Sequence, residues 1–311
     1  MADTSASLRR KIASAGDLQS VVRAMKSQAA ASVGQYERSV AALGDYARTV
    51  ELGLGACFRS SAPLDGAPPS HGQTGRAIRA VIFGSDQGLV GRFNDVVLDH
   101  ARATLAALPA TAQVWAVGER ISSGLADRRT PAAGTFAVPR SVQAITALVG
   151  QVMVKVVGQD EAHDAPGPRT ALYLFNNRPV PGSAYAPVSQ RLLPLDGSWR
   201  RKLADQPWPT GMLPEVLGEV PGEAVVEVPG EGTATVRALI REYLFVSIFR
   251  AAAESLASEN ASRLAAMDRA DHNIEKMLRT LGGSFHRLRQ SSIDDELSDV
   301  VAGFKALGAG R

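Results

Sequence analysis

All seventeen prolines of the chain lie between Pro63 and Pro229, so the first 62 and the last 82 residues lack the residue that most reliably breaks a helix. Proline removes a backbone N–H and clashes with the carbonyl four residues back, so a long stretch without it permits a long helix. Periodicity turns permission into expectation. Val22, Ala29, Tyr36, Leu43 and Val50 recur every seven residues, and Val33, Val40, Ala47 and Leu54 form a second row offset by four. Met267, Ile274, Leu281 and Leu288 make one row near the other end, with Leu278 and Phe285 beside it, and the pattern resumes at Ile293, Leu297, Val300, Phe304 and Leu307. Two such rows form a seam for a partner helix. The two ends of the chain are therefore expected to wind around each other.

The first helix is expected to start near Ser5 or Ser7, whose hydroxyls can cap it, and to run to about Phe58, roughly 80 Å at the standard rise. The second continues from Thr233 or Thr235 to about Leu307, on the order of 110 Å, with Gly282-Gly283 as its weak point. Between the ends, short apolar runs at 80–83, 114–117, 171–175 and 191–195 alternate with amphipathic stretches at 95–107 and 141–157. Buried strands alternating with helices argue for a small, mostly parallel α/β sheet. The division that follows is a shaft helix over 1–60, an α/β domain over 76–195, a Pro/Gly-rich connector without a clear element over 196–232, and a second shaft helix over 233–311.

Charge and cysteine content narrow the function. Thirty-four Lys and Arg against 31 Asp and Glu give a net charge of +3, with no basic tract interleaved with aromatics. That balance gives no case for nucleic acid as a partner. Cys57 is the only cysteine and cannot form an intramolecular disulfide, which suits a reducing compartment. No run approaches eighteen apolar residues, and MADTSASLRRK lacks the apolar core of a secretory signal, so a soluble cytoplasmic protein, or one peripheral to a membrane through partners without direct insertion, is expected.

The loop Ser85-Asp86-Gln87-Gly88-Leu89-Val90-Gly91-Arg92-Phe93-Asn94 follows a strand and precedes a helix, a position where many α/β folds bind phosphate. It lacks G-x-G-x-x-G spacing, and the chain has no G-x-x-x-x-G-K-[ST], so a tight structural turn or protein-contact loop is the expectation. His71, His100, His163, His272 and His286 are scattered without metal spacing. Asp294, Asp295 and Glu296 sit in a helical repeat, where charged residues ordinarily face solvent or a partner. No catalytic constellation, cofactor site or metal site is expected.

Four stretches resemble the gamma subunit of F-type ATP synthases. They are Leu8-Arg9-Arg10-Lys11-Ile12 with Arg23-Ala24-Met25-Lys26, the loop from Ser85 to Asn94, Glu254-Ser255 with Ser258-Glu259 through Met267, and Arg289-Gln290-Ser291-Ser292-Ile293 through Gly303. Asp294 stands where the family usually has threonine and Leu264 where it has methionine. With the Pro/Gly-rich run ending at Pro229, these departures resemble the alternative N-type rotary ATPases.

The resemblance implies a long antiparallel coiled coil of the terminal helices with a small Rossmann-like α/β domain, serving as the central rotor shaft. It implies a ring of alternating alpha and beta subunits around the coiled coil, with the epsilon subunit and the membrane c-ring at the foot. It further implies coupling of ion flow to conformational cycling of the beta subunits, on the cytoplasmic face of the inner membrane. Family partner contacts carry over to Met25, Lys26, Arg263, Arg289 and Gln290, and Glu296 is a further contact candidate. Val300 and Phe304 belong to a C-terminal tip that is apolar or small on almost every face, which calls for a surrounding apolar partner. Two other readings compete: a nucleotide-binding α/β enzyme with a coiled-coil oligomerisation arm, and a coiled-coil adaptor that self-associates.

Overall fold

The computed structural model describes residues 4–60, 77–158, 170–180, 183–209 and 234–308, with side chains described only to 302 at the C-terminal end. Helix α1 spans Ser5–Ser60 and helix α6 spans Ala234–Gly308. The first turn of α1 is capped by Thr4, whose Oγ1 accepts from the Ser7 N–H at 3.3 Å, rather than by Ser5 or Ser7. A capping oxygen accepts from an N–H two or three residues on, and Thr4 stands three before Ser7. The seven-residue row is longer than the central part predicts: Leu8, Ala15, Val22, Ala29, Tyr36, Val50 and Cys57 are all buried, with Leu43 half-buried.

The chain divides into two compact units, 1–30 with 263–311, and 31–262. In the first unit α1 and α6 run antiparallel around a small core of Ala15, Val22, Met267 and Ile274, with Met25, Ala266, Ala270 and Leu278 packed on it. Gly282 and Gly283 do not interrupt α6.

The second unit holds a five-stranded sheet in the order β3-β2-β1-β4-β5. Strands β1 (Ile78–Phe83), β2 (Ala112–Val117), β3 (Gly134–Phe136) and β4 (Ala171–Val180) are parallel, and β5 (Ser183–Leu193) pairs antiparallel with β4. Side chains alternate between the faces of a strand, and the two cores follow that alternation. Ala80, Ile82, Ala116 and Phe175 face α2 (Phe93–Ala106) and α3 (Glu119–Asp127). Val81, Phe83, Val117 and Leu174 face α4 (Val142–Val152), together with α1 residues such as Leu54 and Phe58 and α6 residues such as Leu244 and Leu256. Burial on both faces is why these strands read as unbroken apolar runs.

Several elements depart from the expectation. The amphipathic stretch 141–157 is helical only to Val152, then widens into a π-helical turn over Met153–Val157. β5 begins at Ser183 rather than 191, despite Pro187; an edge strand tolerates proline because it needs donors on one side only. The connector expected from 196 opens with a helix, α5 (Gly197–Asp205). Asp196 caps it, accepting from the Ser198 N–H at 3.2 Å and hydroxyl at 2.7 Å, and these bonds hold its carboxyl below the ordinary aspartate range.

Gly118 joins β2 to α3 at φ +105°, and a Cβ there would lie 2.7 Å from the Ser85 carbonyl oxygen. Gly118→Ala is expected to destabilise the chain by about 2–3 kcal/mol through backbone strain and that clash. Gly282 has open space at its Cβ position inside α6, so Gly282→Ala is expected to stabilise by about 0.5–1 kcal/mol. Thermal or denaturant unfolding of the two variants checks both signs.

Candidate functional site

In the first unit, polar side chains fix the register of the helix pair. Gln19 Nε2 donates to Asp271 Oδ1 at 2.9 Å, and Arg23 Nε reaches the same oxygen at 3.1 Å. One turn further along α1, the Lys26 ammonium donates to Asp268. Towards the start of α1, the Arg9 guanidinium lies 5.3 Å from the centroid of the Phe285 ring. The Lys26 hydrogen bond holds the Asp268 carboxyl below the ordinary range, and the Gln19 hydrogen bond does the same for Asp271. Lys26 is raised in return by its bond to Asp268. Arg23, Lys26 and Asp268 are well solvated while Asp271 is more covered, so the contribution of these pairs is to register and alignment more than to adhesion.

The residues singled out by sequence fall into two groups. Met25 is half-buried on the small core, Lys26 is engaged with Asp268, and Arg263 is half-buried on α6. Arg289, Gln290, Glu296 and Val300 are exposed, while the side chain of Phe304 lies outside the described residues. Since α1 begins at Ser5 and Arg9 already lies over Phe285, α6 beyond about residue 289 runs past its partner. The row that resumes at Ile293 therefore does not form a seam with α1 as periodicity suggests. Ile293, Leu297, Val300 and Val301 are 53%, 63%, 67% and 46% exposed, an apolar stripe with no cover from α1.

In the second unit, the loop after β1 is closed by its own side chains. Asn94 Oδ1 accepts from the Ser85 N–H at 3.0 Å, Asn94 Nδ2 donates to Ser85 Oγ at 2.9 Å, and Ser85 Oγ donates to the Gln87 carbonyl at 2.8 Å. Asp86 accepts the N–H of Glu119 and the N–H of Val138, each at 3.2 Å. The bend places Leu89 at φ 63° and Gly91 at φ 58°. A leucine in that region costs on the order of 1 kcal/mol, yet its side chain stands 62% exposed.

Residues Glu254, Ser258 and Ser262 tie α6 to this loop and to β4. The buried Glu254 carboxylate accepts from Arg178 Nε and Arg250 Nε at 2.8 Å each, and from Asn176 Nδ2 at 3.2 Å. Ser258 Oγ donates to the Asn177 carbonyl at 3.1 Å, and Ser262 Oγ donates to the Val90 carbonyl at 2.6 Å. Asn177 Nδ2 in turn donates to the Phe93 carbonyl at 2.9 Å. Sequence reasoning passed over Asn176 and Asn177; the available signal was a polar pair ending the apolar run Leu172 to Phe175.

Nothing in this arrangement places a nucleophile, an acid and a base around a common point. Among the described residues no group of three or more His, Cys, Asp or Glu could hold a metal ion, and no helix is long and apolar enough to cross a membrane. What the molecule offers is a stiff helix pair with an uncovered apolar end, and a sheet unit locked to α6 by buried polar contacts.

The sequence profile described as ATP synthase matches residues 4–307. The chain belongs to the ATP synthase family. It is 28% identical to the ATP synthase gamma chain of Salinispora arenicola (strain CNS-205), covering 97% of this chain and 96% of that one. It is likewise 28% identical to the ATP synthase gamma chain of Syntrophus aciditrophicus (strain SB), covering 97% and 98%. Its fold is similar to a chain in the rotor of the Euglena gracilis mitochondrial ATP synthase, with a TM-score of 0.58 and 15% identity over 92% of this chain and 97% of that one. A chain in the central stalk and c-ring assembly of the Tetrahymena thermophila enzyme gives a TM-score of 0.53 at 20% identity, over 80% and 99%. Within the ATP synthase family, the chain is a central-stalk subunit.

The polar register contacts are expected to make the first unit sensitive to acid. Asp268 and Asp271 have lowered folded pKa values, so their contribution is present above the unfolded carboxylate value and lost as pH falls through the folded one. The raised Lys26 has the opposite sign and loses its contribution only as alkaline pH rises through its folded value. Acid titration of helicity in the full chain should show loosening below the normal aspartate range. Asp268→Asn combined with Asp271→Asn should flatten that transition; an unchanged acid limb would mean that the two carboxylates do not set it.

Proposed function

We propose that the paired helices turn inside a ring of alternating alpha and beta subunits, and that the sheet unit contacts the epsilon subunit and the c-ring at the foot, on the cytoplasmic face of the inner membrane. The observation that carries this reading is the uncovered stripe Ile293, Leu297, Val300 and Val301 on α6. An apolar helix face of that extent needs an apolar surround, and full burial of four such side chains would contribute at most about 6–12 kcal/mol by transfer arithmetic. Arg289 and Gln290 stand exposed just below it, suited to docking against acidic beta-subunit loops, while Glu296 and its acidic neighbours flank the stripe. Met25, Lys26 and Arg263 belong to the second contact zone, and Phe304 continues the apolar stripe by sequence.

A shaft does no bond chemistry. It acts by presenting different surfaces to otherwise identical neighbours, and a partner shifts a conformational equilibrium only through such differential contact. Ion flow drives the rotation, rotation exchanges the contacts, and the beta subunits change state in turn. The purified chain is therefore expected to show no ATP hydrolysis of its own, while its addition to an alpha/beta hexamer restores steady multisite turnover. Sustained hydrolysis by the chain alone would refute the assignment.

The stripe has its own test. Leu297→Asp with Val300→Asp is expected to weaken retention of the chain in the hexamer and to lower torque, with rotation persisting through contacts lower on the helix pair. Co-purification and single-molecule rotation measure the two effects, and circular dichroism of the free chain should stay unchanged. Wild-type retention and torque would show that the stripe has no apolar surround.

A further inference from the structure

Apolar packing holds a helix against a sheet, but it is non-directional and gives little resistance to the helix turning about its own axis. Hydrogen bonds and ion pairs weaken steeply when their angles are disturbed, so they oppose such turning. On α6 one set of these directional contacts lines up in a single stripe. Glu254, Ser258 and Ser262 are spaced four residues apart, which stacks them along one face of the helix. Four bonds leave that stripe for the sheet unit: Glu254 to Asn176 and Arg178, Ser258 to the Asn177 carbonyl, and Ser262 to the Val90 carbonyl. Asn177 carries the connection on to the start of α2 through the Phe93 carbonyl.

Adhesion alone does not call for these residues. Ala251, Ala252, Ala253 and Ala257 are buried on the same length of α6, so small apolar side chains already seat the helix. A buried carboxylate clamped by arginines adds little stability over well-packed apolar groups, because desolvation offsets most of the attraction. What the polar stripe adds is a defined rotational setting of α6 on β4 and on the 85–94 loop.

We propose that Glu254, Ser258 and Ser262 are positioning residues that transmit torque between α6 and the sheet unit. The inference rests on the reading of the chain as a rotor. A helix turning under load pulls on the stripe, and the four bonds pass that load to β4, to the loop and through Asn177 to α2. If they act as equal springs in parallel, losing both Glu254 contacts would halve torsional stiffness, so weakening them lowers it by at most about twofold.

The test uses the assembled complex with a probe on the sheet unit at Val154→Cys, a site 73% exposed, while the native Cys57 is buried. Angular fluctuations of the stalled complex report stiffness. Glu254→Gln, and separately Ser258→Ala with Ser262→Ala, should broaden the fluctuations and lower ion transport per ATP against a steep gradient, with unloaded ATP hydrolysis unchanged. Ser262→Thr, which keeps the hydroxyl, should recover the part lost in Ser262→Ala. Val97→Ala, a core change under α2, supplies a stability control and should lower the melting temperature without broadening the fluctuations. Wild-type fluctuations in both stripe variants would overturn the proposal, as would equal broadening in Val97→Ala at a matched melting temperature. A wild-type complex that hydrolyses ATP without rotating this chain would instead defeat the rotor reading, and the inference with it.

Discussion

The structure depends on one seam. A helix as long as α1 is stable in water only where a second surface covers its apolar row, since propensity alone supplies little. Leu8, Ala15, Val22, Ala29, Tyr36, Leu43, Val50 and Cys57 keep a seven-residue spacing along α1, and that constancy holds one side of the helix inward through both compact units. Alternation of small and larger members keeps the helices close while fixing which residues meet. Contacts such as Arg23 with Asp271, and in the second unit Tyr46 with Glu242 at 2.7 Å, then select the antiparallel register from those that apolar packing would tolerate.

The same principle accounts for where the seam stops. The pattern on α6 continues past the end of α1, so its apolar row there is left without an intramolecular cover from that helix. Asp294, Asp295, Glu296 and Asp299 lie among these exposed apolar residues, and Arg287 and Arg289 precede them. The end of the helix thus changes sign of charge within about two turns, alongside its exposed apolar stripe.

Much of this was legible in the sequence because it is periodic. The two terminal helices, the strands β1, β2 and β4 and the parallel character of the sheet follow from the row at Val22 to Val50 and from runs such as Ala80 to Phe83. The rest was hidden for identifiable reasons. β3 is three residues long and α3 mixes serines with Gly124, so neither offers enough turns or alternations to register. α5 sits in a proline- and glycine-rich setting, and its signal is one capping aspartate. The expectation of partner contacts at 289–300 came from resemblance, and the structure shows these positions exposed, whereas the polar joint at Glu254, Ser258 and Ser262 was visible only as a motif. What those side chains hold, Asn176, Asn177 and the Val90 carbonyl, lies far away in sequence and has no periodic trace.

The closure of the 85–94 loop bears on what this α/β unit can sense. In open parallel sheets of this kind, the crevice beyond the carboxyl end of the central strand is where cofactor phosphates usually settle, drawn by unpaired N–H groups. Here the Asp86 carboxylate already takes the Glu119 N–H at the start of α3, Asn94 takes the Ser85 N–H, and Ser262 reaches the Val90 carbonyl from α6. The amides at this end of the sheet are thus engaged by the chain's own carboxylate and amide oxygens. A phosphate arriving at this crevice would meet a carboxylate that already holds the amides it would need, so this edge of the sheet is arranged for internal packing rather than for anion capture.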